Sequence, residues 1–361
     1  MPITKIVVTG GPCAGKSTAS SWIQNAFSSL GYKVLFVPET ATELITGGVA
    51  PWTCGTNLDY QKCQMELQLK KEALFLQAAE TMKDEKILIV CDRGALDNKA
   101  YMSEEEFAAV LGELHLSESD LRDAYDGVFH LVTCAKGASE FYTLNNNGAR
   151  IETVEQAAAL DDRIIAAWTG NDHFRIIDNT TDFEVKMMRL IKEIASFLGE
   201  SALRDNVHKY LIEYPDTALL DSLPNCRRAD VIQTYLSSAD GVERRIRQRG
   251  TDGHYVYYEI RKKVVGGKEA EMERRLAPGE YLRLLMEADP NKRSVRKTRY
   301  CLSENKCSYD IDIYPFWPDK AILKVSLSDP DAEIRIPSCV SVIREVTNEE
   351  EFNTNILAKT F

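Results

Sequence analysis

Gly10-Gly11-Pro12-Cys13-Ala14-Gly15-Lys16-Ser17-Thr18 decides how the first half of this chain is read. The stretch follows a short β-branched run, Lys5–Thr9, and opens a segment predicted to be helical over Lys16–Leu30, with Gly31 just past its end. The spacing Gly10-x4-Gly15-Lys16-Ser17 is that of a phosphate-binding loop, and it falls between a strand and a helix as the mechanism requires. Glycines let the backbone curl so that successive N–H groups point inward, and the helix start adds the positive end of its dipole. All nine residues are therefore assigned to a nucleoside triphosphate, GTP or ATP. Lys16 reaches for the β- and γ-phosphates and the Ser17 hydroxyl takes a Mg²⁺ position.

Outward from the loop, the first 200 residues alternate strand and helix patterns. Val34–Val37, Ile87–Cys91, Val128–Thr133 and Phe174–Ile177 read as buried strands; Tyr60–Met82 and Asp182–Leu198 read as helices. Such alternation predicts an α/β fold, a parallel sheet with helices on both faces. Ligands of such sheets bind beyond the carboxyl ends of the strands. Asp92-Arg93 follows the third apolar strand and Glu39 follows the second, so both fall at that edge. Asp92 is a candidate to hold Mg²⁺ or to accept a proton from a substrate hydroxyl. Glu39 is a candidate contact for an acceptor substrate.

The residues just quoted make the first 199 positions resemble the small-molecule kinase branch of P-loop proteins, which includes nicotinamide riboside, thymidylate and adenylate kinases. The resemblance implies that Asp92 and Arg93 face the acceptor. It also implies a lid between the fourth and fifth strands, where Arg150 and Arg163 lie, to close on the phosphates. Arginine forks suit the charge of a transferring phosphoryl group. Phe174-Arg175-Ile176-Ile177-Asp178-Asn179 matches the loop that lies against the base in this group, which makes Asp178 a candidate base contact.

After Gly199 the texture changes to short alternating strands: Val207–Ile212, Val231–Leu236, Val242–Arg249, Val256–Lys263, Arg296–Leu302, Cys307–Tyr314 and Ala321–Leu327, with one helix over Pro278–Glu287. These predict an antiparallel barrel or sandwich over 200–361, separate from the P-loop domain of 1–199. Charge marks the same division. The chain carries −11 overall, yet Gly241–Tyr300 holds sixteen Lys and Arg against nine Asp and Glu, a local +7. A basic segment in an acidic protein points to an anionic ligand. Arg245, Arg247 and Arg249 stand two apart and project from one face of their strand.

Residues 205–357 resemble the CYTH domain of triphosphate tunnel metalloenzymes, an antiparallel barrel whose lumen binds triphosphate through Lys and Arg and metals through Glu. The matching pieces include Lys209-Tyr210-Leu211-Ile212, Arg245-Ile246-Arg247, Lys262, Lys297-Thr298-Arg299-Tyr300 and Tyr309-Asp310-Ile311-Asp312. Two departures stand out. Where the family opens on Glu-x-Glu-x-Lys this chain has Val207 at the second acidic position, and where a second Glu-x-Glu is placed it has Lys324-Val325-Ser326. Hard divalent cations need clustered oxygen ligands, so the domain is expected to bind phosphorylated anions without hydrolysing them. Lys209, Arg245, Arg247, Arg249, Lys262, Arg299 and Lys324 are the expected anion contacts.

A kinase-like P-loop domain joined to a degenerate tunnel domain resembles the family of the TRPL translocation defect protein. That resemblance implies binding of GTP and phosphatidylinositol phosphates and a peripheral role at membranes in trafficking. A small-molecule kinase is the alternative. No stretch approaches 18 uninterrupted apolar residues, no basic segment followed by a long apolar run opens the chain, and nine cysteines are scattered without a CxxC pair. The expectation is a cytoplasmic protein with reduced thiols and no nucleic-acid partner.

Overall fold

Near-continuous apolar strands can be buried on both faces only in a sheet that helices cover, and the N-terminal half builds that sheet. The computed structural model describes residues 3–84, 86–138, 153–200, 206–238, 242–265, 268–304, 307–327 and 334–360. It divides into two compact units, Met1–Ile191 and Lys192–Phe361.

In the first unit β1 (Ile3–Thr9), β2 (Lys33–Val37), β3 (Ile87–Asp92), β4 (Gly127–Leu131) and β5 (Phe174–Ile177) form a parallel sheet in the order β2-β3-β1-β4-β5. The long connections are α1 (Lys16–Ser29), α2 (Thr40–Thr46), α3 (Asn57–Glu80), α4 (Glu104–Leu114), α5 (Glu118–Asp123), α6 (Val154–Trp168) and α7 (Phe183–Phe197). Register pairs Val8 with Asp92 on β3, and Val37 with Cys91, so the loops after β1, β2 and β3 emerge side by side. The core packs Val7, Ile89, Cys91 and Val128 against Leu160, Ile164 and Trp168 of α6. Caps set several helix starts, among them the Thr56 hydroxyl, which accepts from the Asp59 N–H ahead of α3.

The second unit is a nine-stranded antiparallel sheet. Its strands are β6 (Asn206–Glu213), β7 (Cys226–Tyr235), β8 (Glu243–Thr251), β9 (His254–Val265), β10 (Lys268–Leu276), β11 (Val295–Glu304), β12 (Cys307–Ile313), β13 (Lys320–Leu327) and β14 (Val342–Glu345). Their order is β10-β9-β8-β7-β11-β12-β13-β6-β14. Short helices α8 (Thr217–Ser222), α9 (Pro278–Leu285) and α10 (Thr354–Thr360) accompany it. Alternation divides its residues: Ile212, Tyr300, Leu302, Tyr309, Ile311, Leu323 and Val325 share one apolar core. The alternate positions carry Lys297, Arg299, Asp312 and Lys324, and a second apolar cluster gathers Tyr235, Trp317, Phe352 and Leu357.

Two strands escape the sequence reading, β10 and β14, and they are the two edges of the sheet. Edge strands are defended by charge rather than marked by apolar alternation. Lys268-Glu-Ala-Glu-Met-Glu-Arg-Arg-Leu276 and the wholly exposed Val342–Glu345 show that pattern.

Candidate functional site

The phosphate loop adopts the backbone its glycines allow. Gly10 has φ 147° and Gly15 φ 95°, and a Cβ on Gly10 would come within 2.1 Å of the Leu131 carbonyl oxygen. Gly15 caps α1 without a side-chain acceptor, and no acidic residue stands in the first turn, so the first N–H groups of the helix face an anion site. Lys16 Nζ folds back on the Gly10 and Gly11 carbonyls at 3.1 and 3.3 Å. Burial and the nearby Arg93 hold its pKa below the usual lysine value, against the pull of Asp92, Glu39 and Asp97.

Arg93 organises the opposite wall. Its backbone is left-handed, φ 68°, a strained conformation for a residue with a side chain. From there Nε reaches Glu39 Oε1 at 2.5 Å, and Nη1 reaches Gly10 O at 3.3 Å and Asp97 Oδ1 at 3.4 Å. Burial disfavours the Glu39 charge, but Arg93 and Lys16 more than reverse this and bring its pKa down to about 2. Asp92 shows the contrary behaviour. Burial dominates and raises its pKa, and its buried Oδ1 has no hydrogen-bond partner. That orphaned oxygen, in the cleft that Ser17 also lines, suits a bound divalent cation or an acceptor hydroxyl.

Three buried residues that the sequence did not single out fix this arrangement. Asp97 accepts from the Thr9 hydroxyl, the Gly94 N–H (2.8 Å) and Trp168 Nε1 (3.3 Å). Asp161 Oδ1 of α6 accepts from the Gly11 N–H at 2.9 Å and the Thr133 N–H at 3.1 Å, and lies 3.0 Å from His130 Nε2. Its other oxygen takes Lys136 Nζ at 3.0 Å. Burial opposes its charge, yet His130 and Lys136 keep its pKa well below the carboxylate range. Lys186 of α7, 3% exposed, donates to Ala14 O (3.2 Å), Val132 O (2.7 Å) and Asn179 Oδ1 (2.7 Å). Burial lowers its pKa to about 8. Spacing gave a signal for Asp97 alone, which stands four after Arg93.

A cleft of about 1700 Å³ is lined by Pro12 to Thr18, Glu39, Asp92, Arg93, Asp97 and Lys186. It continues past the phosphate loop to Trp52, Tyr60, Gln61, Gln64 and Tyr101. The Tyr60 hydroxyl, with its pKa pushed up to about 12 chiefly by burial, and Gln61 Oε1 are buried there without partners. Of the other candidates, Arg163 is exposed on α6 and is not among the cleft-lining residues. Asp178 is engaged by Arg189 Nη1 at 2.9 Å and the Thr180 hydroxyl at 2.7 Å ahead of α7. Arg150 lies outside the described residues.

In the second unit the expected cations occupy facing rows. Arg245, Arg247 and Arg249 stand opposite Tyr235, Gln233 and Val231 of β7, and Val231 in turn stands opposite Lys297 of β11. Arg245 Nη1 meets Glu243 at 2.8 Å and Arg247 Nη2 meets Glu273 at 2.5 Å. Arg249, 2% exposed, has Nη2 3.5 Å from Cys301 Sγ. Lys262 is in register with Glu243, and Lys209 with Lys324. Lys209 Nζ donates to Asn353 Oδ1 at 2.8 Å. Arg299, Lys324 and also Lys297 converge on one carboxylate, Asp312. Among the described residues, no helix is long and apolar enough to cross a membrane.

Residues 5–186 match the family model described as an AAA domain. Among solved structures, a deoxyadenosine kinase from M. mycoides with bound dATP is similar at 17% identity, covering 53% of this chain and 98% of that one with a TM-score of 0.38. An inorganic triphosphatase is similar at 22% identity, covering 44% of this chain and 97% of that one with a TM-score of 0.32. No curated protein sequence matches the chain.

Proposed function

The chain belongs to the AAA-domain family, and on that premise we propose that its first unit binds a Mg²⁺–nucleoside triphosphate and transfers the γ-phosphoryl group to a small hydroxyl-bearing acceptor. One observation carries the reading. Glu39, Asp92 and Arg93 share a single cleft with the phosphate loop, and that cleft runs on to Tyr60, Gln61 and Tyr101, where a second molecule has room. A nucleotide switch has no need of that second compartment.

The residues divide the labour by charge. N–H groups of the loop and Lys16 hold the phosphates, and Arg93 adds a guanidinium for charge that develops on the transferring group. Ser17 would hold the Mg²⁺, which would supply charge neutralisation at the phosphates. The acceptor oxygen forms a bond to the γ-phosphorus as the bond to the bridging oxygen breaks, and the electron pair leaves with the nucleoside diphosphate. The acceptor proton passes to a carboxylate. Asp92 suits that role because burial raises its pKa, whereas Glu39, held near 2 by Arg93 and Lys16, is the weaker base and the better orienting group.

The test is a panel of nucleosides and other small alcohols with γ-labelled ATP and GTP, run with wild type and Asp92→Asn. Transfer to one acceptor that the substitution abolishes, with nucleotide affinity nearly kept, supports the assignment. Slow hydrolysis with no acceptor labelled would sink it in favour of a second reading. In that reading nucleotide occupancy is regulatory and the cationic face of the second unit binds phosphorylated anions, such as phosphoinositide head groups, at a membrane surface. The convergence of Lys297, Arg299 and Lys324 favours the anion-binding part of it.

A further inference from the structure

Two thiols meet at the phosphate loop. Cys13 stands in the loop itself and Cys134 follows β4; both line the cleft, and their side chains are hydrogen-bonded to each other. The backbones that carry them are stitched together on either side. The Thr133 hydroxyl donates to the Pro12 carbonyl, and the Gly11 and Thr133 N–H groups share Asp161 Oδ1 at 2.9 and 3.1 Å. Lys186 Nζ joins the Ala14 and Val132 carbonyls, at 3.2 and 2.7 Å. Bonds at Gly11, Pro12 and Ala14 on one segment, and at Val132 and Thr133 on the other, therefore hold the two sulfurs in register.

Phosphate binding uses the N–H groups of the loop and asks nothing of a thiol at position 13. The backbone there is left-handed, φ 55°, a conformation that glycine adopts far more readily than cysteine. Cys134 is 8% exposed, and its thiol is pushed up to about 11, chiefly by burial and then by Cys13, so it keeps its proton at neutral pH. Cys13 is half-buried and borders the cleft, which makes it the sulfur that a small oxidant meets first.

We propose that Cys13 and Cys134 are an oxidative modification site, forming a reversible disulfide that closes the phosphate loop to nucleotide, with a hydroperoxide as the oxidant. The proposal rests on the reading that this loop binds a nucleoside triphosphate. The Cys13 sulfur attacks the peroxide: an S–O bond forms as the O–O bond breaks, the other oxygen leaves as water or an alcohol, and Cys13 becomes a sulfenic acid. The Cys134 sulfur then attacks the Cys13 sulfur. An S–S bond forms, the S–O bond breaks, and the departing hydroxide takes the Cys134 proton as water. Two thiols have lost two electrons and the peroxide has gained them.

An S–S bond of about 2 Å is much shorter than a hydrogen-bonded contact between thiols, so one partner must move. Cys134 is the better anchored. Asn179 Nδ2 donates to the Thr133 carbonyl at 2.7 Å, and the Ala138 N–H donates to the Cys134 carbonyl at 3.0 Å. The loop therefore yields, and the N–H groups after Cys13 lose their aim at the phosphates. By reciprocity, bound nucleotide opposes the oxidation by the same factor.

The full chain is reduced, treated with hydrogen peroxide and desalted. Peptide maps under non-reducing conditions should show a Cys13–Cys134 link that is absent from Cys13→Ser and Cys134→Ser. Calorimetric affinity for Mg²⁺–ATP should fall roughly tenfold or more on oxidation and return with dithiothreitol. Cys134→Ser, unable to close the bond, should accumulate a Cys13 sulfenic acid that dimedone traps. Mg²⁺–ATP present during treatment should suppress the link. Exposed Cys63 is the control for oxidant strength: its oxidation without any Cys13–Cys134 link overturns the proposal, as does a complete link with unchanged affinity. Should Cys134→Ser fail to fold, Cys13→Ala decides, since a peroxide-dependent loss of affinity in that variant would move the effect to another cysteine. A reduced chain that binds neither Mg²⁺–ATP nor Mg²⁺–GTP instead rejects the phosphate-loop reading, and the peptide map still decides the bond.

Discussion

The Arg93 guanidinium and the Glu39 carboxylate meet 2.5 Å apart, and they arrive from the ends of adjacent parallel strands. Neither side chain is solvated freely, at 11% and 23% exposure, so the pair is a fixed part of the cleft wall and not a surface ion pair. Arg93 accepts a left-handed backbone to reach it. The pair holds one guanidinium nitrogen over the Gly10 carbonyl, which joins the phosphate loop to the acceptor side of the cleft.

The pair has a signature in pH. Glu39 titrates near 2 in the folded chain against an ordinary 4.5, so the folded state binds fewer protons than the unfolded state between those values. The stability this contributes is present in full above pH 4.5 and is lost as pH falls toward 2. The difference between wild type and Glu39→Gln should therefore shrink on acidification, by up to about 3 kcal/mol in total. Urea unfolding at pH 5.5, 4.5 and 3.5 measures it, and parallel curves for the two proteins would count against the ion pair.

Lys16→Ala should weaken binding of Mg²⁺–ATP and Mg²⁺–GTP without unfolding the chain. Among the described residues Lys16 Nζ hydrogen-bonds to the Gly10 and Gly11 carbonyls, and Glu39 keeps its ion pair with Arg93 when Lys16 is lost. One charge-assisted contact to phosphate corresponds to roughly ten- to hundredfold in affinity. Calorimetric titration gives the number, and equal affinity in the two proteins would remove the phosphate-loop assignment.

How much of this was readable beforehand depended on whether a signal was local. The loop, its flanking strand and helix, and Asp92-Arg93 are contiguous, so Gly10-x4-Gly15-Lys16-Ser17 and a strand ending in Asp disclosed them. Asp161 and Lys186 were invisible because each reaches the loop from a distant helix, and a lone Asp or Lys on an amphipathic helix reads as solvated. Asp178 illustrates the reverse difficulty. Its place in Ile177-Asp178-Asn179 suggested a base contact, but Arg189, eleven residues on, engages it. In the second unit, alternation revealed the arginine row of β8. It gave no sign of the carboxylate that meets Arg247, because Glu273 comes from an edge strand rich in charge, whereas the Glu243 that meets Arg245 stands two residues before it on the same strand.

Asp161→Asn should loosen the phosphate loop from behind. The carboxylate anchors the Gly11 and Thr133 N–H groups while facing His130 and Lys136, and an amide keeps the shape but not the charge. Removing one partner of a buried charged network costs about 3 kcal/mol. A fall in melting temperature accompanied by weaker nucleotide binding is expected. A fall in stability with unchanged affinity would show that Asp161 supports α6 and not the loop.

Lys186 gives the last prediction: stability again rises with pH, as for Glu39, but here because a buried charge is shed and not because a paired one is gained. The ammonium is buried against Ala14 O, Val132 O and Asn179 Oδ1, and burial outweighs the help of Asp161, Cys134 and Asp178 to leave its pKa near 8 against an ordinary 10.5. Between those values the unfolded chain keeps a proton that the folded chain has shed, so stability rises with pH. Below pH 8 both states are charged and the cost of burying the ammonium is present in full; above 10.5 both are neutral and it is gone. Lys186→Met removes the titration, so wild type should gain up to about 3 kcal/mol on the variant between pH 7.5 and 10.5. Denaturant unfolding of both proteins across that range reads the gain directly. Nucleotide affinity supplies a second readout, since the same ammonium holds the Ala14 carbonyl within the loop: the variant should bind Mg²⁺–ATP several-fold more weakly at pH 7.5. Identical pH profiles together with identical affinities would mean that the ammonium is neither buried at a cost nor a support of the loop.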